Sequence, residues 1–470
     1  MNRSLPLFLA AFLSASVIAT EASTPRSVIL IIGDGFDDQH VTMGRNYLSG
    51  MSGELLLDQL PFRGAVQVET LSDLGSPVYV ADSANTATAI ATGSATEIGR
   101  ISTDIEDRDL TTIAERALSA GYRVGIITTA SLTDATPAAF LAHVSARSCE
   151  GPEEILGSTY YGVEQPACPQ DAKQNGGPGS IAEQLIESGA HVLLGGGEKF
   201  FSQALADGET VFQSAERRGF GVAKSREALL DAKIAEPILG VFDSETLEVR
   251  WRGEGGRKAE PVHTSWLNSV SKYLGSVSQP EPMTCEANPE YANTPSVAEM
   301  TEVGLAILEK DNEQGFFLMI ESASIDKQSH KRNPCGSIGE IAQLEEALQL
   351  AMAFQERQPD TFIVVTADHA QAAQIVPDDS LYSRNPIPIY SPGQVARLQT
   401  PEGGLMRINY ATNNIFSEEH TGANVPLFAN AVAAPLLEPF MRQRDLYHAM
   451  AEFLIGATDT ERETASTATD

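Results

Sequence analysis

The sequence predicts an α/β protein: a three-layer αβα sandwich around a large, mostly parallel sheet. Short aliphatic and β-branched runs end abruptly in turns that carry acids, and stretches of helical periodicity separate these runs. No internal repeat or heptad points instead to a solenoid or a coiled coil.

In chain order, residues 28–32 (Val-Ile-Leu-Ile-Ile) run into Gly33-Asp34-Gly35, and residues 124–129 run towards Asp134-Ala135-Thr136-Pro137. Residues 316–320 precede Glu321, and residues 362–365 precede Thr366-Ala367-Asp368-His369. Runs this apolar, without polar alternation, suit strands buried on both faces. Helical patterns are expected at 111–120, 180–188, 296–310 and 338–357. Strand and helix alternate, so the sheet is expected to be covered on both sides. In such sheets ligands sit beyond the carboxyl ends of the strands, which is where four separate acids are delivered. One acid after a strand is commonly a turn residue or an N-cap. Four together, with histidines nearby, point to a metal cluster.

With 470 residues, 42% hydrophobic and 20% charged, the chain can bury a sizeable core. Residues 1–22 hold Arg3, an apolar run and then small residues, the pattern of a secretory signal peptide; the run is short for a membrane span. Residues 23–456 are read as one catalytic domain with rim insertions near 224–282 and 378–414, both rich in Gly, Pro and polar residues. Residues 457–470, almost without apolar side chains, are expected to be a disordered acidic tail. A periplasmic or secreted protein, free of the membrane after cleavage, is the expectation.

Cys149, Cys168, Cys285 and Cys335 form no CxxC pair, and an oxidising compartment favours disulfides. Three connectivities are open, of which sequence proximity favours Cys149 with Cys168 and Cys285 with Cys335. A net charge of -31, from 63 acidic against 32 basic residues, argues against a nucleic-acid-binding surface. It is also the pattern of a protein kept soluble in a saline habitat. An anionic substrate remains compatible, because screening over roughly 8 Å leaves local charge to decide.

Asp326 and His330 are four residues apart, which on a helix points both to one face. Asp368-His369 follows a strand, and His420 lies in Glu418-Glu419-His420-Thr421-Gly422. Imidazole with carboxylate suits zinc, whereas the oxygens of Asp34, Thr136 and Glu321 suit magnesium. Asp82-Ser83-Ala84 precedes a run of Ala, Thr and Ile that would form a narrow helix. Ser83 would then sit at a helix N-terminus, where free N–H groups attract phosphate, although either residue could simply cap the helix.

Gly33-Asp34-Gly35, Asp82-Ser83-Ala84, Asp134-Ala135-Thr136-Pro137, Ala146-Arg147-Ser148-Cys149, residues 321–330, residues 366–369 and His420-Thr421-Gly422 together resemble the bacterial alkaline phosphatases of the enterobacterial periplasmic type. The resemblance spans residues 28–456, with the motifs in the family's order. It implies hydrolysis of small phosphate monoesters to alcohol and inorganic phosphate through a phosphoserine at Ser83. It implies one zinc on Asp326, His330 and His420, a second on Asp34, Asp368 and His369, and a magnesium on Asp34, Thr136 and Glu321 with Asp134 acting through water. Arg147 would clamp the phosphate, Asp82 would orient Arg147, Lys327 would reach the phosphate through water, and the protein would be a homodimer.

Gln371 stands where that type has a further histidine, Phe36-Asp37 replaces Met-Gly, and Ser94-Ala95-Thr96 lacks a customary lysine. A sulfatase would need Pro and Arg at fixed offsets after its nucleophile, which residues 83–87 lack, and a phosphodiesterase more often uses threonine without the arginine clamp. An inactive exported metal- or phosphate-binding protein is the reading from another class.

Overall fold

The computed structural model describes residues 25–160, 162–231, 236–271, 273–378 and 392–456. The expected leader, the acidic tail and the centre of the second rim stretch lie outside these residues. The central sheet has ten strands: β1 (Ser27–Gly33), β2 (Phe62–Gln67), β3 (Arg123–Ser131), β4 (Val192–Gly196), β5 (Gly221–Ala223), β6 (Ile238–Val241), β7 (Phe316–Ser322), β8 (Thr361–Thr366), β9 (Val425–Ala429) and β10 (Phe440–Arg442). Their order across the sheet is β10-β2-β9-β8-β1-β7-β3-β4-β6-β5. Only β9 runs against the rest, antiparallel to both β8 and β2.

The four apolar runs form the middle of this sheet. Val28 pairs in register with Phe317 on one side and Phe362 on the other, and every residue of β1 is buried. Burial of each such side chain contributes about 1.5–3 kcal/mol. Helices Asp38–Leu48, Val297–Glu309 and Pro334–Arg357 pack together on one face; Ser83–Thr92, Ile113–Ser119 and Gln443–Ile455 pack together on the other. Local sequence fixes several starts: Thr112 with Glu115, Ser180 with Glu183 and Ser296 with Glu299 close reciprocal capping boxes.

Two boundaries differ from expectation. The long helix begins at Pro334 rather than near 338, because proline is pre-set for a first helical turn. Within the stretch read as the first rim insertion, Ile238–Val241 is a strand of the central sheet, a four-residue run with Gly240 that is too short to stand out beside its Pro and Gly neighbours. Residues that follow do form peripheral structure, where Glu260–Pro261, Gln394–Gln399, Leu405–Tyr410 and Gln374–Val376 make a four-stranded antiparallel sheet. Disulfides join Cys149 to Cys168 and Cys285 to Cys335; the second fastens the strand just after the insertion to the first turn of the long helix. Among the described residues no helix is long and apolar enough to cross a membrane.

Candidate active site

The carboxyl ends of β1, β3, β7 and β8 adjoin, so the turns that follow them meet at one edge of the sheet. Asp34 follows β1, Asp134 follows β3, Glu321 is the penultimate residue of β7, and Asp368-His369 follows β8. Gly35, with φ +66°, lets its N–H donate to Asp368 Oδ1 at 3.1 Å, which ties the first of these turns to the last. Directly after β7, the helix Ser324–His330 presents Asp326 and His330 on one face, and His330 Nε2 lies 3.2 Å from Asp326 Oδ2.

Two groupings of ligand atoms result. Asp326, His330 and His420 converge, as do Asp34, Asp326 and His369. Asp368 Oδ2 adjoins the second group, 3.4 Å from His369 Nε2, and Asp34 Oδ1 lies 3.4 Å from the same nitrogen. The rings of His369 and His420 stack at 3.7 Å and link the groups. Backbone carbonyls aim the outer imidazoles: His420 Nδ1 faces Ala81 O at 2.7 Å, and His330 Nδ1 faces Glu418 O.

Electrostatics mark Asp34 and Glu321 as only partly answered by the chain, through Lys327. Burial, then the charges of Asp368, Asp326 and Glu321, hold Asp34 well above the usual carboxylate range. Glu321 is pushed up to about 8, chiefly by burial, although Thr128 donates a hydrogen bond to it. His420 is pushed down to about 4, first by burial and then by His369. Asp34 Oδ1, Asp368 Oδ2 and Thr136 Oγ1 are buried with no hydrogen-bond partner among the described residues. Buried oxygens and imidazoles gathered in this way, with Lys327 offsetting only part of their charge, fit divalent cations.

Ser83 opens the helix Ser83–Thr92, all of whose residues are buried, and Asp82 is its N-cap. Asp82 does both tasks that the sequence left open: Oδ2 accepts from Ala84 N–H at 3.2 Å, and Oδ1 accepts from Arg147 Nη1. Ser83 Oγ lies 3.0 Å from His369 Nε2. A Ser–His–Asp hydrolase would need the far nitrogen of that ring held by a carboxylate, but His369 Nδ1 faces Ala370 O at 3.3 Å. His369 is therefore not held as the base of such a triad, and its Nε2 lies directly beside the hydroxyl.

Arg147 has a second partner that sequence reading missed. Its Nη2 donates to Asp134 Oδ1 at 2.6 Å, and Lys327 donates to the other oxygen of Asp134. Against burial, the two cations Lys327 and Arg147 hold Asp134 far below the usual range. All thirteen candidate catalytic and ligand residues thus fall at the carboxyl edge of the sheet.

Supporting contacts escaped the sequence because their partners are far apart in the chain. Asp37 caps the first helix and bonds His40 Nδ1 at 2.8 Å, and His40 Nε2 reaches Ser329 Oγ at 2.9 Å on the helix of Asp326 and His330. Gln371 Nε2 donates to Asp326 Oδ1 at 2.7 Å, so the residue that departs from the family's histidine still steadies this carboxylate. Glu150, pushed up to about 8 by burial and then by Asp134, accepts from Thr133 Oγ1 at 2.6 Å beside Asp134.

A family model described as alkaline phosphatase matches residues 25–416. Alkaline phosphatase of Escherichia coli is 38% identical over 90% of this chain and 85% of its own length. Streptomycin-6-phosphate phosphatase of Streptomyces griseus is 40% identical over 89% of each. In three dimensions the fold is similar to the alkaline phosphatase of Thermus thermophilus, with TM-score 0.65 at 20% identity over 95% of this chain and 96% of that one.

Proposed function

We propose, for a chain that belongs to the alkaline phosphatase family and is a metal-dependent phosphomonoesterase, that Ser83 is its nucleophile and that two zinc ions and one magnesium ion complete its site. The observation that carries the reading is Ser83 Oγ at a helix N-terminus, 3.0 Å from His369 Nε2, beside carboxylate oxygens without partners. Asp326, His330 and His420 would hold one zinc, Asp34, Asp368 and His369 the other, and Asp34, Thr136 and Glu321 the magnesium, with Asp134 near it. When bound, these ions supply Lewis-acid charge to the phosphoryl oxygens and lower the pKa of a hydroxyl or water beside them.

The chain's own groups do the rest. Arg147, held flat by Asp82 and Asp134, presents its fork to two phosphoryl oxygens. Ser83 Oγ forms the new O–P bond as the ester O–P bond breaks and the alcohol leaves with a proton. Water then attacks the phosphoserine, and inorganic phosphate leaves with the serine hydroxyl restored. Lys327, bonded to Asp134, keeps positive charge near the phosphate.

The two disulfides support export to the periplasm or beyond, in line with the leader expected at 1–22. The family likeness supports a homodimer. The acidic surface supports tolerance of molar salt, read as activity retained from low to high NaCl.

Ser83→Ala tests the assignment. Turnover of p-nitrophenyl phosphate falls at least ~10³-fold while metal content holds; unchanged turnover would remove Ser83 from its role. Preference for the bis-ester or the sulfate over the monoester would instead favour a phosphodiesterase or sulfatase.

A further inference from the structure

The sequence has nine lysines, seven of them among the described residues. Five of those seven, Lys173, Lys199, Lys224, Lys310 and Lys327, pair with carboxylates. Lys258 and Lys331 are exposed and form no ion pair with any of the described residues, although acids outnumber bases almost two to one in this chain.

Both stand at one place. Lys331 ends the helix that carries Asp326 and His330, and its N–H donates to Lys327 O at 3.3 Å, so it lies one turn beyond Lys327. Lys258 belongs to the rim insertion, and the next residue, Ala259, donates its N–H to Arg332 O at 2.9 Å. Arg332 itself is buried and spent on Glu418. The Lys331 ammonium feels the charges of Lys258 and Lys327, and the acids that face it are Glu248 and Glu245. Glu245 is engaged by Lys199, and Glu248 accepts from Asn288 at 3.3 Å.

The direction follows from the chain of contacts across the site. Ser83 touches His369, His369 stacks on His420, His420 lies 3.1 Å from His330, and Lys331 follows His330. Phosphoryl transfer needs the attacking and leaving oxygens roughly in line, so the alcohol portion of a substrate lies on the side away from Ser83, towards Lys331.

We propose that Lys258 and Lys331 form a cationic subsite for a second anionic group on the alcohol portion, which selects phosphate monoesters that also carry a carboxylate or another phosphate. The proposal rests on Ser83 as nucleophile, because that assignment sets which side the alcohol occupies. Nothing in the subsite touches the reacting atoms, so it acts on substrate binding and leaves the chemical step alone.

Matched substrates test it: phenyl phosphate against 4-carboxyphenyl phosphate, and propane-1,3-diol monophosphate against its bisphosphate. In the double variant Lys258→Met with Lys331→Met, KM for the doubly anionic member of each pair rises about fivefold, as expected for two partly exposed charge contacts. KM for the singly anionic member stays within about twofold, and kcat holds for both. Lys331→Arg with Lys258→Arg restores the preference, and molar NaCl erases it in the wild type. An equal rise in KM for both members, which is general steering, or no rise for either, would overturn the subsite. A response to the bisphosphate alone narrows the recognised group to phosphate, and a response to both supports anions in general. Hydrolysis of phenyl phosphate by the wild type but not by Ser83→Ala checks the underlying assignment separately, since the subsite is read only from the ratio within each pair.

Discussion

Glu418 and Asp34 are both buried acids beside the same site, and the chain treats them in opposite ways. Glu418, in the loop that brings His420, receives Arg332 Nε at 2.6 Å and the hydroxyl and N–H of Thr412. Asp34, at the end of β1, faces three further acids against the single cation Lys327, and one of its oxygens has no hydrogen-bond partner among the described residues. A buried charge is tolerable only when it is paired. The loop therefore carries its own counter-charge, and among the strand-end acids Asp134 is paired by Arg147 and Lys327, whereas Asp34 keeps an oxygen that no described residue answers with a hydrogen bond. Stability of the scaffold and assembly of the reactive centre are in this way separable.

The largest effect expected from this contrast is chelation. Removing divalent ions lowers turnover at least ~10³-fold, and zinc with magnesium restores it; turnover that survives exhaustive chelation would break the contrast on the Asp34 side. On the Glu418 side, Arg332→Leu leaves a buried carboxylate unpaired and costs about 3–5 kcal/mol in urea unfolding. Adding Glu418→Gln recovers much of that cost; a loss below about 1 kcal/mol for the single variant would show that Glu418 is not compensated by Arg332.

Asp34→Asn sharpens the comparison through its sign. In chelated protein it removes a carboxylate that burial and like charges disfavour, and unfolding free energy rises by about 1 kcal/mol. In metal-loaded protein it lowers stability because a ligand is lost. The same sign in both states would contradict the account.

The smallest effect concerns a pair remote from the cations. Burial opposes the charged form of His143, but the bond and charge of Glu115, at 2.8 Å, outweigh it and raise its pKa. That contribution is complete below the ordinary imidazole value of 6.5 and disappears as pH rises through the raised folded value. Glu115 has a lowered pKa, so its share is present above 4.5 and is lost as pH falls through its folded value. His143→Gln should cost about 1 kcal/mol at a pH between those ordinary values and little in alkali; an equal cost at both would mean that the ring acts by packing.

What the sequence made legible follows the same division. The central strands β1, β3, β7 and β8 could be read because each is an unbroken apolar run, and their terminal acids could be read because they interrupt it. Asp326 and His330 were legible through helical spacing, and the disulfides through proximity. Compensation was not legible. Arg332 and Glu418 are 86 residues apart, and Gln371 and Asp326 are 45 apart, with no periodicity to join them. The second partner of Arg147 was hidden for another reason: Asp134 had already been read as a metal-linked acid, and one carboxylate can serve both a cation and a guanidinium. β6 escaped because four residues carry too little pattern to separate a core strand from a rim loop.

Counting metals in purified protein tests the central claim most directly, since the proposal gives Asp34 to both the second zinc site and the magnesium site. Elemental analysis should find zinc and magnesium at about two to one in the wild type, with both falling in Asp34→Asn while Arg332→Leu, where it folds, retains them. Active wild-type protein without these metals, or an Asp34→Asn variant with unchanged content of both, would contradict it.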